Sequence, residues 1–232
     1  VAVAATAAGL EAMIPVVPQA APDDFDRTVR DPGRAWLAQR RGVAGGLAGP
    51  LPKKGEPDYR KDFWTGGEKW RVALDDLRRR YGGVCAYSAL WVPPGTGFAS
   101  VDHFVPKSVR PDLAYEWSNF RFASGRANGA KGDHRDVLDP FTVHAGWFHL
   151  EFALLSIYPD PAQPDLLRSQ IRATIERLKL DGPDWRAERQ HYWDRYLEDL
   201  STGKDRAVAA QALARDAPHV HAEALRQQLL VG

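Results

Sequence analysis

Along residues 68–81, Trp70, Ala73, Leu74, Leu77 and Tyr81 recur three or four positions apart, which predicts a helix closed by Gly82-Gly83. The same period returns downstream. Leu167, Ile171, Ile175 and Leu178 mark a helix over 164–180, and Trp185, Tyr192, Trp193, Tyr196 and Leu197 mark one over 184–200. Two more helices are expected near 205–215 and 219–230, and "GRAWLAQR" (33–40) makes a short one. "VCAYSALWV" (84–92) reads as a strand, "PPGTG" turns the chain, and another strand runs through 99–105. "FRFA" (120–123) alternates apolar and basic residues like a further short strand, and "VLDPF" and "HAGWFHLEF" suggest two more around a glycine turn. Residues 15–33 read as an extended arm. Residues 42–67 carry many glycines and prolines without a period, which reads as a loop that is disordered or ordered by a partner. The fold class is α+β, a small centre of strands wrapped by helices.

Composition narrows the class without naming a partner. The 232 residues are 44% hydrophobic, enough for a core without staples. The 31 Lys and Arg nearly balance the 30 Asp and Glu, and a neutral total can still hide a basic groove. Cys85 is the only cysteine, which excludes an internal disulfide and a cysteine-rich zinc site and suits a reducing compartment, read as cytoplasm. No apolar run approaches the roughly 20 residues that span a bilayer, so no membrane partner is expected. "VAVAATAAGLEA" lacks the basic start of a signal peptide. Met13 is read as the natural start, with a genuine N-terminal extension as the alternative.

The chemistry concentrates in "ASVDHFVPKS" (99–108), where Asp102 and His103 stand side by side inside an apolar strand. A loop follows and ends at Asn119. Then come the strand "FRFA" and "SGRANGAKGD" (124–133), with Ser124 as a helix N-cap, Asn128 and Lys131 on the helix, and Gly132 as its stop. Either Asn alone is ordinarily a turn residue, and an Asp-His pair alone is ordinarily a surface ion pair. The ordered set is what points to a site. An aspartate and an asparagine offer oxygen ligands to a hard cation such as Mg²⁺ or Mn²⁺, and a histidine titrates near working pH and can take a proton from water.

This order of residues, across roughly 84–135, resembles the HNH endonuclease family. The resemblance implies a ββα-metal core, a β-hairpin and short helix clamping one divalent ion, within 82–150. Residues 1–81 then form an arm, loop and helix, and 151–232 a C-terminal helical region, all in one integrated domain. It further implies His103 as general base, Asn119 as the loop-holding residue, and Asp102 and Asn128 as ligands of one Mg²⁺ or Mn²⁺. Lys131, with Arg126 and Arg121, would hold flanking phosphates. The strand would bend so that Asp102 reaches the metal while His103 addresses the water. The Asn-Gly-Ala-Lys-Gly-Asp run is most similar to the HNH domain of RNA-guided nucleases. Many family members brace the fold with zinc on two CxxC pairs; "CAYS" (85–88) keeps one cysteine and "ASGRAN" (123–128) none, so no structural zinc is expected. Phe25-Asp26, Val29-Arg30, Pro32-Gly33 and Trp36-Leu37, with "SVDHFVPKS", "YEWSN" and "VLDPF", are similar to bacterial HNH proteins that accompany ATPases in phage-defence modules. The implied function is cleavage of nucleic acid, DNA favoured over RNA, with an ATPase as possible partner. The alternative is a partner-docking scaffold subunit with an HNH shell whose nuclease is latent or RNA-directed. The aromatic stripe of 184–200 is read as core, and "PKK" (52–54) as a solvated loop.

Overall fold

The computed structural model describes residues 16–42 and 49–230; the expected start at Met13 and residues 43–48 of the expected loop lie outside the described residues. Among the described residues there are seven α-helices and two antiparallel two-stranded sheets, an α+β chain. They form two compact units, 16–141 and 142–230.

The first unit opens with a π-helical turn, Asp26–Arg30, running into α1, Asp31–Arg41. Gly33 in α1 is a packing requirement: a Cβ there would lie 2.2 Å from the buried Tyr115 ring. The expected helix at 68–81 forms as a 3₁₀ turn, Lys69–Ala73, followed by α2, Leu74–Arg80, and the chain leaves it through Gly82 and Gly83 at φ 61° and 70°. β1, Ala99–His103, pairs antiparallel with β2, Phe120–Ser124, in a register that sets Val101 opposite Phe122 and Asp102 opposite Arg121. Ser124 then caps α3, Gly125–Lys131, by accepting the Ala127 N–H at 3.2 Å, and Gly132 at φ 49° ends it. Phe25, Phe120 and Phe122 fill the core beneath the hairpin, each worth about 1.5–3 kcal/mol of burial.

Two expected strands are absent. Residues 84–92 fold into a tight loop, because Ala89 takes φ 52° and the chain doubles back so that Cys85 N–H reaches Leu90 O at 2.9 Å. Only the Val84–Trp91 bridge remains extended there. "VLDPF" has no strand partner among the described residues. The described part of the expected loop, 49–67, has turns but no regular element, and its Trp64 stacks on Trp36 at 5.9 Å.

In the second unit, β3, Phe148–Glu151, pairs with β4, Ser156–Pro159. α4, Asp165–Leu178, packs against β4, and α5, Pro183–Ser201, α6, Arg206–Asp216, and α7, Pro218–Arg226, complete the unit. Trp185, Tyr192 and Tyr196 of the α5 stripe are buried as core, whereas Leu197 is exposed. Among the described residues, no helix is long and apolar enough to cross a membrane.

Candidate functional site

Strand alternation puts Ser100 and Asp102 on one face of β1 and Val101 and His103 on the other. α3 lies across the first face. Asn128 donates through Nδ2 to Ser100 Oγ at 3.1 Å. One turn later, Lys131 Nζ donates to Asp102 Oδ1 at 3.1 Å and to the His103 carbonyl at 2.8 Å. From the 84–92 loop, the Tyr87 hydroxyl donates to Asp102 Oδ2 at 2.5 Å. Lys131 is fully buried and Asp102 is 2% exposed, so the pair is a buried ion pair. Burial raises the Asp102 carboxyl above its ordinary pKa, and the Lys131 charge and Tyr87 hydrogen bond oppose that rise. The Tyr87 hydroxyl is pushed well above its usual value by burial and by the Asp102 charge.

His103 sits on the opposite face, edge-on to Trp70 at 4.9 Å and Phe120 at 5.3 Å. Its Nε2 lies 2.9 Å from the Ala114 carbonyl. A carbonyl only accepts, so Nε2 carries the proton and Nδ1 keeps its lone pair. Burial holds the imidazole near a pKa of about 3, with the Lys107 charge adding to the effect and the Ala114 carbonyl opposing it. The ring is therefore neutral at ordinary pH.

Asn119 reaches this histidine through the backbone. Its Oδ1 accepts the Val105 N–H at 2.8 Å, and its Nδ2 donates to Val105 O at 3.0 Å and Leu113 O at 3.1 Å. The amide thus closes the 104–119 loop and fixes the residue beside Ala114, whose carbonyl orients the His103 ring. Asn119 is a positioning residue in this arrangement.

Asp102, His103 and Asn128 line one cavity of about 560 Å³, together with Ser100, Trp70 and Lys107. Two residues that carry hard oxygen donors, Asp102 and Asn128, line its wall. Ser100 donates its own proton to Ala123 O at 3.1 Å, so it can only accept from Asn128. The Asn128 amide is thereby turned with its nitrogen on Ser100 and its oxygen left as a donor for a cation. Each Asp102 oxygen holds one protein hydrogen-bond donor and retains a further lone pair. Two protein oxygens with solvent completing the shell suit Mg²⁺ or Mn²⁺, which keep several waters. Among the described residues, no three His, Cys, Asp or Glu side chains converge as a metal cluster.

The three expected phosphate-binding residues fall in different places. Arg121 is committed to the core. It pairs with Asp139 through two bonds of 2.9 and 2.7 Å, donates to the Ser118 and Phe120 carbonyls, and lies 3.5 Å over the Phe141 ring. Lys131 is fully buried on Asp102 and faces no solvent phosphate. Arg126 is exposed on α3 and is not part of the cavity wall. The physical reason is helix phase: α3 turns Lys131 inward onto β1 and Arg126 outward. Cys85 is buried with its Sγ 3.8 Å from Ser124 Oγ.

Tyr87, Ser100 and Lys107 were not legible as site residues. Lys107 lies four residues beyond His103 in the same short run, which was the available signal. Its ammonium sits over the Trp70 ring at 5.5 Å and the Trp64 ring at 5.9 Å. Comparison of the chain with family models and with curated proteins found no match. The chemistry of the site accordingly rests on its own geometry.

Proposed function

We propose that the chain is a metal-dependent endonuclease of HNH type that hydrolyses phosphodiester bonds in nucleic acid, DNA favoured. The observation that carries this reading is the convergence on one cavity of a carboxylate and an amide oxygen from β1 and α3 with an imidazole whose Nδ1 is left as acceptor. The order of paired β1 and β2 leading into α3 supports a ββα-metal core in that reading. Asp102 and Asn128 would hold the ion, which when bound supplies Lewis-acid polarisation of the phosphate and neutralises charge on the leaving oxygen.

His103 acts as general base, its Nδ1 taking the proton of the attacking water. The Ala114 carbonyl holds the ring in the tautomer that leaves Nδ1 open, and Asn119 holds the loop that carries this carbonyl. Proton uptake works against burial first and the Lys107 charge second, and the anionic phosphate in the cavity opposes both. Lys131 keeps the buried Asp102 ionised and in place instead of contacting substrate. The wider resemblance extends the proposal to a cytoplasmic effector of prokaryotic anti-phage defence working with an ATPase.

The test is cleavage of supercoiled plasmid and total RNA with Mg²⁺, Mn²⁺ or EDTA, using the wild type and Asn128→Ala. Metal-dependent cutting that falls sharply in the variant is expected, and the two substrates separate DNA from RNA. Cutting that survives EDTA, or that Asn128→Ala leaves intact, contradicts the reading. Asn128 is the better target because Asp102→Ala strands the buried Lys131 charge.

A second reading, a partner-docking subunit with a latent nuclease, draws on the Asp102–Lys131 pair. A divalent ion must share Asp102 with an ammonium already 3.1 Å from Oδ1. Folded wild type that binds Mn²⁺ yet cuts neither substrate favours that reading.

A further inference from the structure

A second cavity of about 560 Å³ adjoins the first, and the two share Lys107 and Asp133 on their walls. Its outer wall is the segment 51–64, which is anchored rather than loose. Leu51 N–H donates to Ser108 O at 2.7 Å, and Ser108 Oγ donates to Asp133 Oδ2 at 2.7 Å. At the inner end Trp64 stacks on Trp36. Five cationic side chains line this cavity against two carboxylates. Arg60 and Lys61 are exposed and, among the described residues, have no ion-pair partner, so their charges are available to a ligand. Beside them Tyr59 is 41% exposed and has no ring contact among the described residues.

Two adjacent free cations with an exposed aromatic beside them offer a backbone-tracking edge with a base-stacking face. The size decides which form of nucleic acid enters. A cavity of this volume is of ligand-pocket scale, and a base must leave its duplex stack to present a face to Tyr59. We propose that this second cavity takes the unpaired strand flanking the phosphate held at His103, with Lys107 clamping the phosphate at the junction, Arg60 and Lys61 on the backbone beyond it, and Tyr59 stacked on a base. The inference rests on the nuclease reading and deepens it: the substrate is a strand unpaired next to the cut, DNA or RNA.

The experiment is fluorescence anisotropy with the full chain in EDTA, where no cutting occurs. The probes are labelled oligothymidylate, oligouridylate and a blunt DNA duplex, and the proteins are wild type, Tyr59→Ala, Tyr59→Phe and Arg60→Ala/Lys61→Ala. These residues are on the surface, so the variants fold, which circular dichroism checks. The expected result is tighter binding of single strands than duplex by the wild type. Tyr59→Ala should lose about tenfold on single strands, with Tyr59→Phe restoring binding and duplex affinity unmoved. The double variant should lower the salt slope for single strands by about 1.4. The two single-strand probes separate DNA from RNA. Wild-type binding that every variant leaves unchanged, or that falls equally on duplex, overturns the second cavity while the nuclease reading stands. Competition by polyglutamate as strong as by oligonucleotide overturns it in favour of an acidic peptide. No binding of single strands by folded wild type in EDTA overturns the second cavity, and metal-dependent plasmid cutting then decides the nuclease reading separately.

Discussion

Each unit of the molecule buries a carboxylate, and the two are treated differently. In the unit formed by residues 142–230, Glu223 is saturated. Its oxygens accept from His149 Nδ1 at 3.0 Å, Arg226 at 2.9 and 2.8 Å, Leu150 N–H at 2.9 Å and Gln227 at 3.4 Å. Burial pushes its carboxyl up, but those donors outweigh it and hold it at about 2. In the unit formed by residues 16–141, Asp102 has, among the described residues, only the donors Tyr87 and Lys131; its carboxyl is raised by burial, and it stands on a cavity wall. A carboxylate whose lone pairs are filled by its own fold is a structural tie. One held by few donors beside an opening retains capacity for a ligand. Arg189 extends the comparison on the structural side: it is buried with its guanidinium on the Leu155 and Leu180 carbonyls, closing backbone groups.

The largest difference between the two carboxylates lies in the Asp102–Lys131 ion pair. Lys131→Ala leaves Asp102 enclosed with Tyr87 alone, and the expected loss is about 3–5 kcal/mol of stability. Arg226→Ala leaves Glu223 its bonds from His149, Leu150 and Gln227 and should cost clearly less. Urea denaturation followed by tryptophan fluorescence ranks the two, and equal losses would mean Asp102 is no more exposed to the loss of one donor than Glu223 is.

A somewhat smaller effect concerns pH. His219 is buried in α7 with Nε2 3.3 Å from Phe148 O, and burial lowers its pKa to about 4. Glu223 opposes that shift, while Arg189 and His149 add to it. Because the unfolded chain takes up the proton first, the His219 contribution to stability is complete above about pH 6.5 and is lost as pH falls towards 4, by about 3 kcal/mol, and the buried His103 adds a loss of the same sign. His219→Gln should make the decline of urea midpoints from pH 7 to 4.5 shallower while leaving the His103 part; an unchanged slope would remove His219 as a source. Glu223 acts lower still, its contribution fading only as pH falls from the ordinary carboxylate range through about 2.

The smallest effect sharpens the placement of α3. Ser124→Ala removes the cap that holds the Ala127 N–H and should cost about 1 kcal/mol. Because α3 carries Asn128, the same variant should also weaken Mn²⁺ binding, read by titration. A stability loss with unchanged Mn²⁺ affinity would separate the cap from the ion site.

Much of the frame was legible because its signals are local. The helical periods at 164–180, 184–200, 205–215 and 219–230 correspond to α4–α7, and Ser124 and Gly132 bound α3 as expected. Residues 84–92 misled because "VCAYSALWV" has strand composition, while Ala89 adopts a left-handed backbone that no composition signals. The order Asp102, His103, Asn119, Asn128 was visible, and the fold sets three of them on one cavity with Asn119 behind it. The fates of Arg121 and Lys131 were not visible. A basic residue on a strand or short helix reads as a phosphate contact until its rotation about the element and its partner, Asp139 or Asp102, are known. Tyr87 enters the site by packing from another loop, which spacing along the chain does not encode, whereas Lys107 follows His103 by four residues and its signal was local.

In the proposed reaction His103 moves the proton. The most direct test of that role is the rate of plasmid or RNA cutting by wild type and His103→Ala in saturating Mg²⁺ or Mn²⁺, with near-ultraviolet dichroism and Mn²⁺ titration confirming that fold and ion binding persist. The prediction is a fall of about 10²–10⁴ in cleavage rate with Mn²⁺ affinity retained. A folded, Mn²⁺-binding His103→Ala that cuts at the wild-type rate would contradict it.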